Sequence, residues 1–167
     1  MVDLHLPQGR PGYSHTLRVT FAYDAMGVSV VQVQRVAMRV PVPATPPPTE
    51  KSVGYWLAVE DAAGNVLYHV PLHDPLGRDH EVFDDPKRGK PFRAPSKQTS
   101  GQFEVLIPDL PAGARAVLHG PPMDSRTTDK GGLPGSVALA RHDLAELRRR
   151  SAAGDRAPGS QPPGGRP

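Results

Sequence analysis

The amino-acid sequence predicts an all-β fold: an antiparallel two-layer, immunoglobulin-like β-sandwich with one short C-terminal helix and disordered termini. Apolar and polar residues alternate with a period of two in several short segments, as in strands with one buried face. Turn-forming residues separate these segments. Proline and glycine, 21 and 17 of the 167 residues, concentrate elsewhere. About 110 to 120 residues therefore remain to share one core, which is the size of a single domain.

The first part of the chain predicts a loose arm followed by β-structure. Residues 1–15 contain proline and glycine among polar residues and predict a flexible N-terminal arm. Residues 16–23 alternate as a half-buried strand does. Residues 28–40 are rich in β-branched side chains, but their alternation changes phase near Gln34 and Arg35. We expect a bulge there, or two successive strands.

The middle of the chain contains the clearest predicted unit, a β-hairpin. Residues 55–61 and 66–72 are strand-like, and A-A-G-N between them suits a tight turn. Residues 73–101 show no periodicity and predict a long loop, which is uncommon inside a compact domain and often functional. Strands at 103–107 and 114–119 follow.

The C-terminal part predicts a helix on a tether. The sandwich occupies residues 16–122, and glycines and prolines make 123–135 a flexible tether. Residues 136–151 predict a short amphipathic helix, with a serine cap, alanine and leucine inside and arginines at the end. Residues 152–167 predict a disordered Pro/Gly-rich tail.

Charge and composition exclude several classes of function. The net charge is +3, but residues 126–167 carry +4 and residues 1–125 carry −1, so the predicted domain lacks the basic surface of a nucleic-acid-binding protein. The chain has no cysteine, no apolar leader in its first residues and no long apolar run. We expect a cytoplasmic protein that binds neither nucleic acid nor membrane, with leaderless export left open.

One group of polar residues has the composition of a weak metal site. Imidazoles and carboxylates together suit zinc or a similar cation, but no known ligand spacing is matched. The alternative is a polar strand end that continues into a solvated loop, and we expect no metal and no cofactor. No nucleophile elbow, H-E-x-x-H or phosphate-binding glycine loop is present, so we expect no enzyme activity. The candidate ligands are His69, His73, Asp74, Asp79 and His80.

Trp56 and the C-terminal helix are the candidate contacts for a partner. Trp56 either anchors a binding surface or packs between the sheets, and the small number of aromatic residues favours packing. The helix either covers a sheet edge or docks into a partner. Deleting residues 126–167 is expected to change the melting temperature by only a few degrees. The helix residues concerned are Leu144, Leu147, Arg148, Arg149 and Arg150.

Three segments resemble a known family. They are Y-W-L-A-V-E-D-A-A-G-N-V-L-Y at 55–68, L-H-D-P-L-G at 72–77 and F-E-V-L-I-P at 103–108. Together they resemble the non-catalytic N-terminal β-sandwich of bacterial IgA-cleaving-type metallopeptidases. The resemblance covers roughly residues 16–119 and implies an accessory β-sandwich without protease activity, because this chain has no counterpart of the peptidase domain.

These observations predict a non-catalytic interaction module. It would act as an accessory or structural subunit that binds another protein through its loops or its C-terminal helix. One alternative is a sandwich that binds carbohydrate or another small ligand through Trp56, Tyr55 and the loop at 73–101. A second is a metal-dependent enzyme that uses His69, His73 and His80. Exposed sheet edges leave self-association open.

Overall fold

The computed structural model describes residues 12–41, 48–49, 52–77, 79–82, 92–95, 99–123 and 135–154, and only the backbone is described for 79–82 and 92–95. Most of the predicted arm, tether and tail lies outside these residues. Within them, strands are followed by one helix. The elements are β1 (Thr16–Asp24), β2 (Gly27–Val36), β3 (Tyr55–Glu60), β4 (Val66–Leu72), β5 (Asp79–Val82), β6 (Phe92–Pro95), β7 (Gly101–Pro108), β8 (Arg115–Gly120), β9 (Val137–Asp143) and α1 (Leu144–Gly154).

The predicted fold class is confirmed. One sheet has the strand order β2-β1-β7 and the other has the order β4-β3-β8-β9, with β5 and β6 as a separate pair. All these pairings are antiparallel. Alternation places one face of each main sheet in a common core. Its largest fully buried members include Phe21, Leu17, Leu57 and Ile107. In the described part of the chain, no helix is long and apolar enough to cross a membrane.

The predicted hairpin at 55–72 is confirmed, and its turn has a local cause. Gly64 has a positive φ of 89°, which is unfavourable for residues with a side chain. Asp61 accepts hydrogen bonds from both the backbone N–H and the side-chain amide of Asn65, each at 2.9 Å. These contacts fix the chain reversal before β4 begins.

The irregularity in the second strand lies earlier than predicted. Phe21 pairs with Val30 and Thr20 pairs with Gln32, so Val31 is the extra residue of the bulge. Its side chain is exposed, whereas Val30 and Val33 face the core. The prediction of a bulge near Gln34 was therefore wrong in position. The apolar residues on both sides of the bulge hide the point at which the alternation of buried and exposed residues changes phase.

The prediction of a structureless loop over 73–101 was wrong in part. Its described residues include a turn at 74–77, closed by a hydrogen bond from the Gly77 N–H to the Asp74 carbonyl, and the β5–β6 pair. Short strands of four residues are too brief to produce a recognisable period. Residues 78, 83–91 and 96–98 of this predicted loop lie outside the described residues.

The largest correction concerns the predicted helix at 136–151. Its first half is strand β9, which pairs with β8, and α1 starts only at Leu144 and continues to Gly154. The helix cap is Asp143, whose Oδ1 accepts a hydrogen bond from the Glu146 N–H at 3.0 Å. Alanine and leucine favour a helix locally, but pairing with β8 overrides that preference.

Candidate functional site

The outer face of the four-stranded sheet carries an apolar and aromatic group. On β3, Leu57 and Val59 face the core, so Trp56 and Ala58 point to the other side. The register places Trp56 opposite His119 of β8, and Ala58 opposite Val117. These side chains are nevertheless largely removed from water, since Trp56 is only 8% exposed and Ala58 and Val117 are fully buried.

Trp56 and His119 stack face to face. Their ring centroids are 3.6 Å apart and their planes differ by 4°. Neither the indole Nε1 nor the imidazole Nε2 has a hydrogen-bond partner among the described residues, although both atoms are buried. An unpartnered buried polar group costs free energy, so the pair gains its stability from contact area and stacking.

The electrostatics of His119 favour its neutral form. Burial and, to a smaller extent, the positive charge of Arg141 together lower the pKa of His119 from 6.5 to about 4. A general base works best when its pKa lies near the working pH. At neutral pH the Trp56–His119 pair is therefore suited to packing, and it is poorly matched to proton transfer.

The structure separates the predicted metal ligands that it describes. His69 is buried on β4, opposite Ala58, whereas His73 follows the strand and is exposed. Asp74 is half-buried in the next turn and has a positive φ of 34°. The side chains of Asp79 and His80 lie outside the described residues. Among the described side chains, no group of three His, Cys, Asp or Glu residues could hold a metal ion.

Most of the candidate partner contacts on the C-terminal helix make contacts within the domain. Leu144 and Leu147 are 0% and 1% exposed and belong to the core, so they are unavailable to a docking partner while the domain is folded. The alternative in which the helix covers a sheet edge is correct. Arg150 Nη2 donates to the Val30 carbonyl of edge strand β2 at 3.0 Å, and Arg149 is exposed.

Arg148, the remaining arginine of the helix, belongs to a cluster of ion pairs that the sequence did not indicate. Asp109 binds Arg148 Nε through Oδ1 at 2.7 Å and Arg35 Nε through Oδ2 at 3.0 Å. Burial raises the pKa of Asp109, but the hydrogen bonds from Arg148 and then Arg35 outweigh it and the pKa is lowered overall. Arg148 Nη2 also donates to the Leu110 carbonyl at 2.6 Å. No local pattern around Asp109 indicates these ion pairs, because Arg35 and Arg148 are distant from it in sequence.

A truncation that removes residues 126–167 therefore removes part of the sandwich. The deletion takes away β9, which pairs with β8, and both buried leucines of α1. Loss of a paired strand and of core side chains should unfold or strongly destabilise the domain. This packing removes the premise for expecting a nearly unchanged melting temperature, and we now expect a large loss of stability.

Strand β7 forms an edge of the three-stranded sheet, and among the described residues it pairs only with β1. The Asp109 N–H donates to the His15 carbonyl at 3.0 Å, in direct continuation of this ladder. Because hydrogen-bonded pairs alternate in an antiparallel ladder, the odd-numbered residues of β7 bond to β1. The N–H and C=O groups of Gln102, Glu104 and Leu106 therefore point away from β1, along the edge.

The other edges of the two main sheets have features that hinder strand addition and that β7 lacks. Helix α1 lies against β2 and β9, and Arg150 occupies a carbonyl of β2. Strand β4 contains Pro71, which has no N–H to offer. Strand β7 has no proline before Pro108, and Glu104 is its one charged residue. In the described part of the chain, β7 is thus the edge best suited to accept an added strand.

Comparisons with known proteins add no relative. Neither the scan against protein-family models nor the searches of curated proteins and of solved structures gave a match. The resemblance to the accessory sandwich of IgA-cleaving-type metallopeptidases stays a prediction.

Proposed function

We propose that this chain is a non-catalytic β-sandwich module that binds a protein partner, as an accessory or structural subunit. The observation that carries the proposal is the edge of β7, where the outward-facing backbone groups of Gln102, Glu104 and Leu106 are covered by no helix or strand among the described residues. Addition of a partner strand to such an edge is a common mode of peptide recognition. The binding surface is then this edge, and not the helix that the sequence suggested.

The buried aromatic pair supports protein binding over the carbohydrate alternative. A sugar-binding platform needs an exposed aromatic ring, but Trp56 is covered and stacked on His119. The metal-enzyme alternative has no support from the described side chains, since buried His69 and exposed His73 form no three-ligand group with their neighbours. A cytoplasmic location belongs to the same proposal.

Removal of one edge donor tests the proposal. Gln102 is exposed and its N–H points outward, so Gln102→Pro removes a donor without breaking the β1 ladder. The matched control is Gln102→Thr, which loses the same side chain and keeps the N–H. Each protein serves as bait in an extract of the cells that produce it. We expect a protein captured by the wild type and by Gln102→Thr to be lost with Gln102→Pro, while equal capture by all three would refute strand addition.

A further inference from the structure

We infer that the partner at the β7 edge is a second copy of this chain, with the two β7 strands antiparallel across a twofold axis. The inference rests on the proposed function. Two identical edges are self-complementary in this arrangement, because outward N–H groups of one copy meet outward carbonyls of the other, except at Pro108, which has no N–H. The two three-stranded sheets would become one continuous sheet.

The outward-facing backbone groups allow two ways of aligning the two β7 strands with the twofold axis near the middle of the strand. In the first, Glu104 lies opposite Glu104 of the second copy, and the two carboxylates face each other. In the second, the axis passes through Val105, and Glu104 lies opposite Leu106 of the second copy. Each Glu104–Leu106 pair then exchanges both of its backbone hydrogen bonds. Like charges directly opposite each other destabilise a strand pair, which disfavours the first register.

Charge complementarity selects the register centred on Val105. On the outer face, exposed Arg18 of β1 lies directly opposite Leu106 and makes no ion pair with any described residue. Glu104 is exposed too, and one of its oxygens accepts a hydrogen bond from the Thr20 hydroxyl at 3.2 Å. In this register three residues lie in one row across three strands: Arg18 and Leu106 of one copy, followed by Glu104 of the second copy. The long arginine side chain can reach that glutamate, and the twofold axis repeats the pair.

The inner face of the same register is apolar. Phe103, which is half-buried and stacked on Phe21 at 5.1 Å between centroids, would lie opposite Ile107 of the second copy. Val105 would lie opposite itself. Cross-strand pairs of aromatic and β-branched residues stabilise antiparallel sheets, so the new seam would extend the existing core rows.

Charge reversal and its restoration test the inference on the full chain. Sedimentation equilibrium at low ionic strength, where exposed charges are least screened, should give a wild-type mass that rises with concentration towards two chains. Arg18→Glu and Glu104→Arg should each weaken the dimer by about tenfold, because each turns two attractive contacts into two repulsive ones. The double variant should return the dissociation constant to within about threefold of the wild type.

The controls separate this inference from folding and from the proposed function. Ser29→Glu changes the charge of the same sheet face on β2, in a row that contains neither Arg18 nor Glu104, and should leave the dimer unchanged. Thermal unfolding checks that each variant keeps its fold. A monomeric wild type, indifference to the charge reversals or failure of the double variant to restore the dimer would each overturn the inference. Capture that depends on the Gln102 N–H would then still support the proposed function with a different protein at the edge.

Discussion

Replacing His119 by phenylalanine should make the folded domain less sensitive to acid. In the folded protein, burial and then Arg141 hold the pKa of His119 at about 4, below the value of 6.5 expected for an exposed imidazole. As the pH falls below 6.5, the unfolded chain therefore binds a proton before the folded chain does. The contribution of His119 to stability is complete above about pH 6.5 and is lost progressively towards pH 4.

The size of this effect follows from the shift in pKa. A shift from 6.5 to about 4 corresponds to about 3 kcal/mol at full strength. His119 keeps part of its contact with water, so solvent screening reduces the expected effect to about 1 to 2 kcal/mol. Phenylalanine preserves a flat ring against Trp56 and removes the unpartnered Nε2, so the variant should be about as stable as the wild type at pH 8.

Urea unfolding between pH 8 and pH 4 measures the difference directly. Across this range the free energy of unfolding of the wild type should fall by about 1 to 2 kcal/mol more than that of His119→Phe. His142 also has a pKa lowered by burial, but it is present in both proteins and cancels in the comparison. Parallel stability curves for the two proteins would refute the assignment of this pH dependence to His119.

Three further substitutions test how the C-terminal elements are held. Leu144→Ala should lower the free energy of unfolding, measured in urea, by about 2 to 5 kcal/mol. Its control, Ala145→Ser on the exposed side of the helix, should lower it by less than about 0.5 kcal/mol. Similar losses in the two variants would contradict the packing of α1. Asp109→Asn should lower the free energy of unfolding by about 1 to 3 kcal/mol at pH 7. The difference from the wild type should shrink in acid, as the pH falls through the lowered pKa of Asp109 and its carboxylate is protonated. Gly120→Ala should cost about 1 to 3 kcal/mol, because the new Cβ would fall on the Tyr55 ring and 2.8 Å from Leu139 Cδ1. Gly12→Ala, with no atom within 4 Å, is its control, and equal melting temperatures for the two glycine variants would show that the Gly120 contact is relaxed without cost.

The edges of the sandwich explain why the C-terminal segment matters for specificity as well as for stability. Helix α1 packs against β2, and Arg150 donates a hydrogen bond to one of the strand's carbonyl oxygens. Both contacts hinder the addition of another strand at this edge. Within the part of the chain that the structure describes, the outward groups of β7 have no pairing strand. Among the described residues β7 has the least protected edge of the two main sheets, and protection of the other edges limits how the sandwich can associate.

The sequence indicated the central hairpin well because its signals are local. Alternation over Tyr55–Glu60 and Val66–Leu72 and the glycine between them depend on neighbouring residues alone. The C-terminal segment shows the opposite case. V-A-L-A-R-H-D has both helical composition and a strand-like alternation, and the availability of β8 as a pairing partner decides between them.

The candidate site was predicted only in part for the same reason. Burial of Trp56 followed from the scarcity of aromatic residues, but its stacking on His119 depends on the β3–β8 register, which joins segments far apart in the chain. The ion pairs of Asp109 with Arg35 and Arg148 likewise connect three separate elements. No spacing in the sequence could indicate them.

The sequence by itself determined that this protein is an antiparallel sandwich with a C-terminal helix, because strand period, turn residues and the supply of apolar side chains are local or compositional properties. Only the tertiary structure decided which sheet edges lie uncovered among the described residues. Backbone groups at Gln102, Glu104 and Leu106 have the same chemistry as those of any other strand, and their availability depends on what lies beside them. The physical reason is that pairing and burial are relations between distant segments, and a linear pattern does not record them.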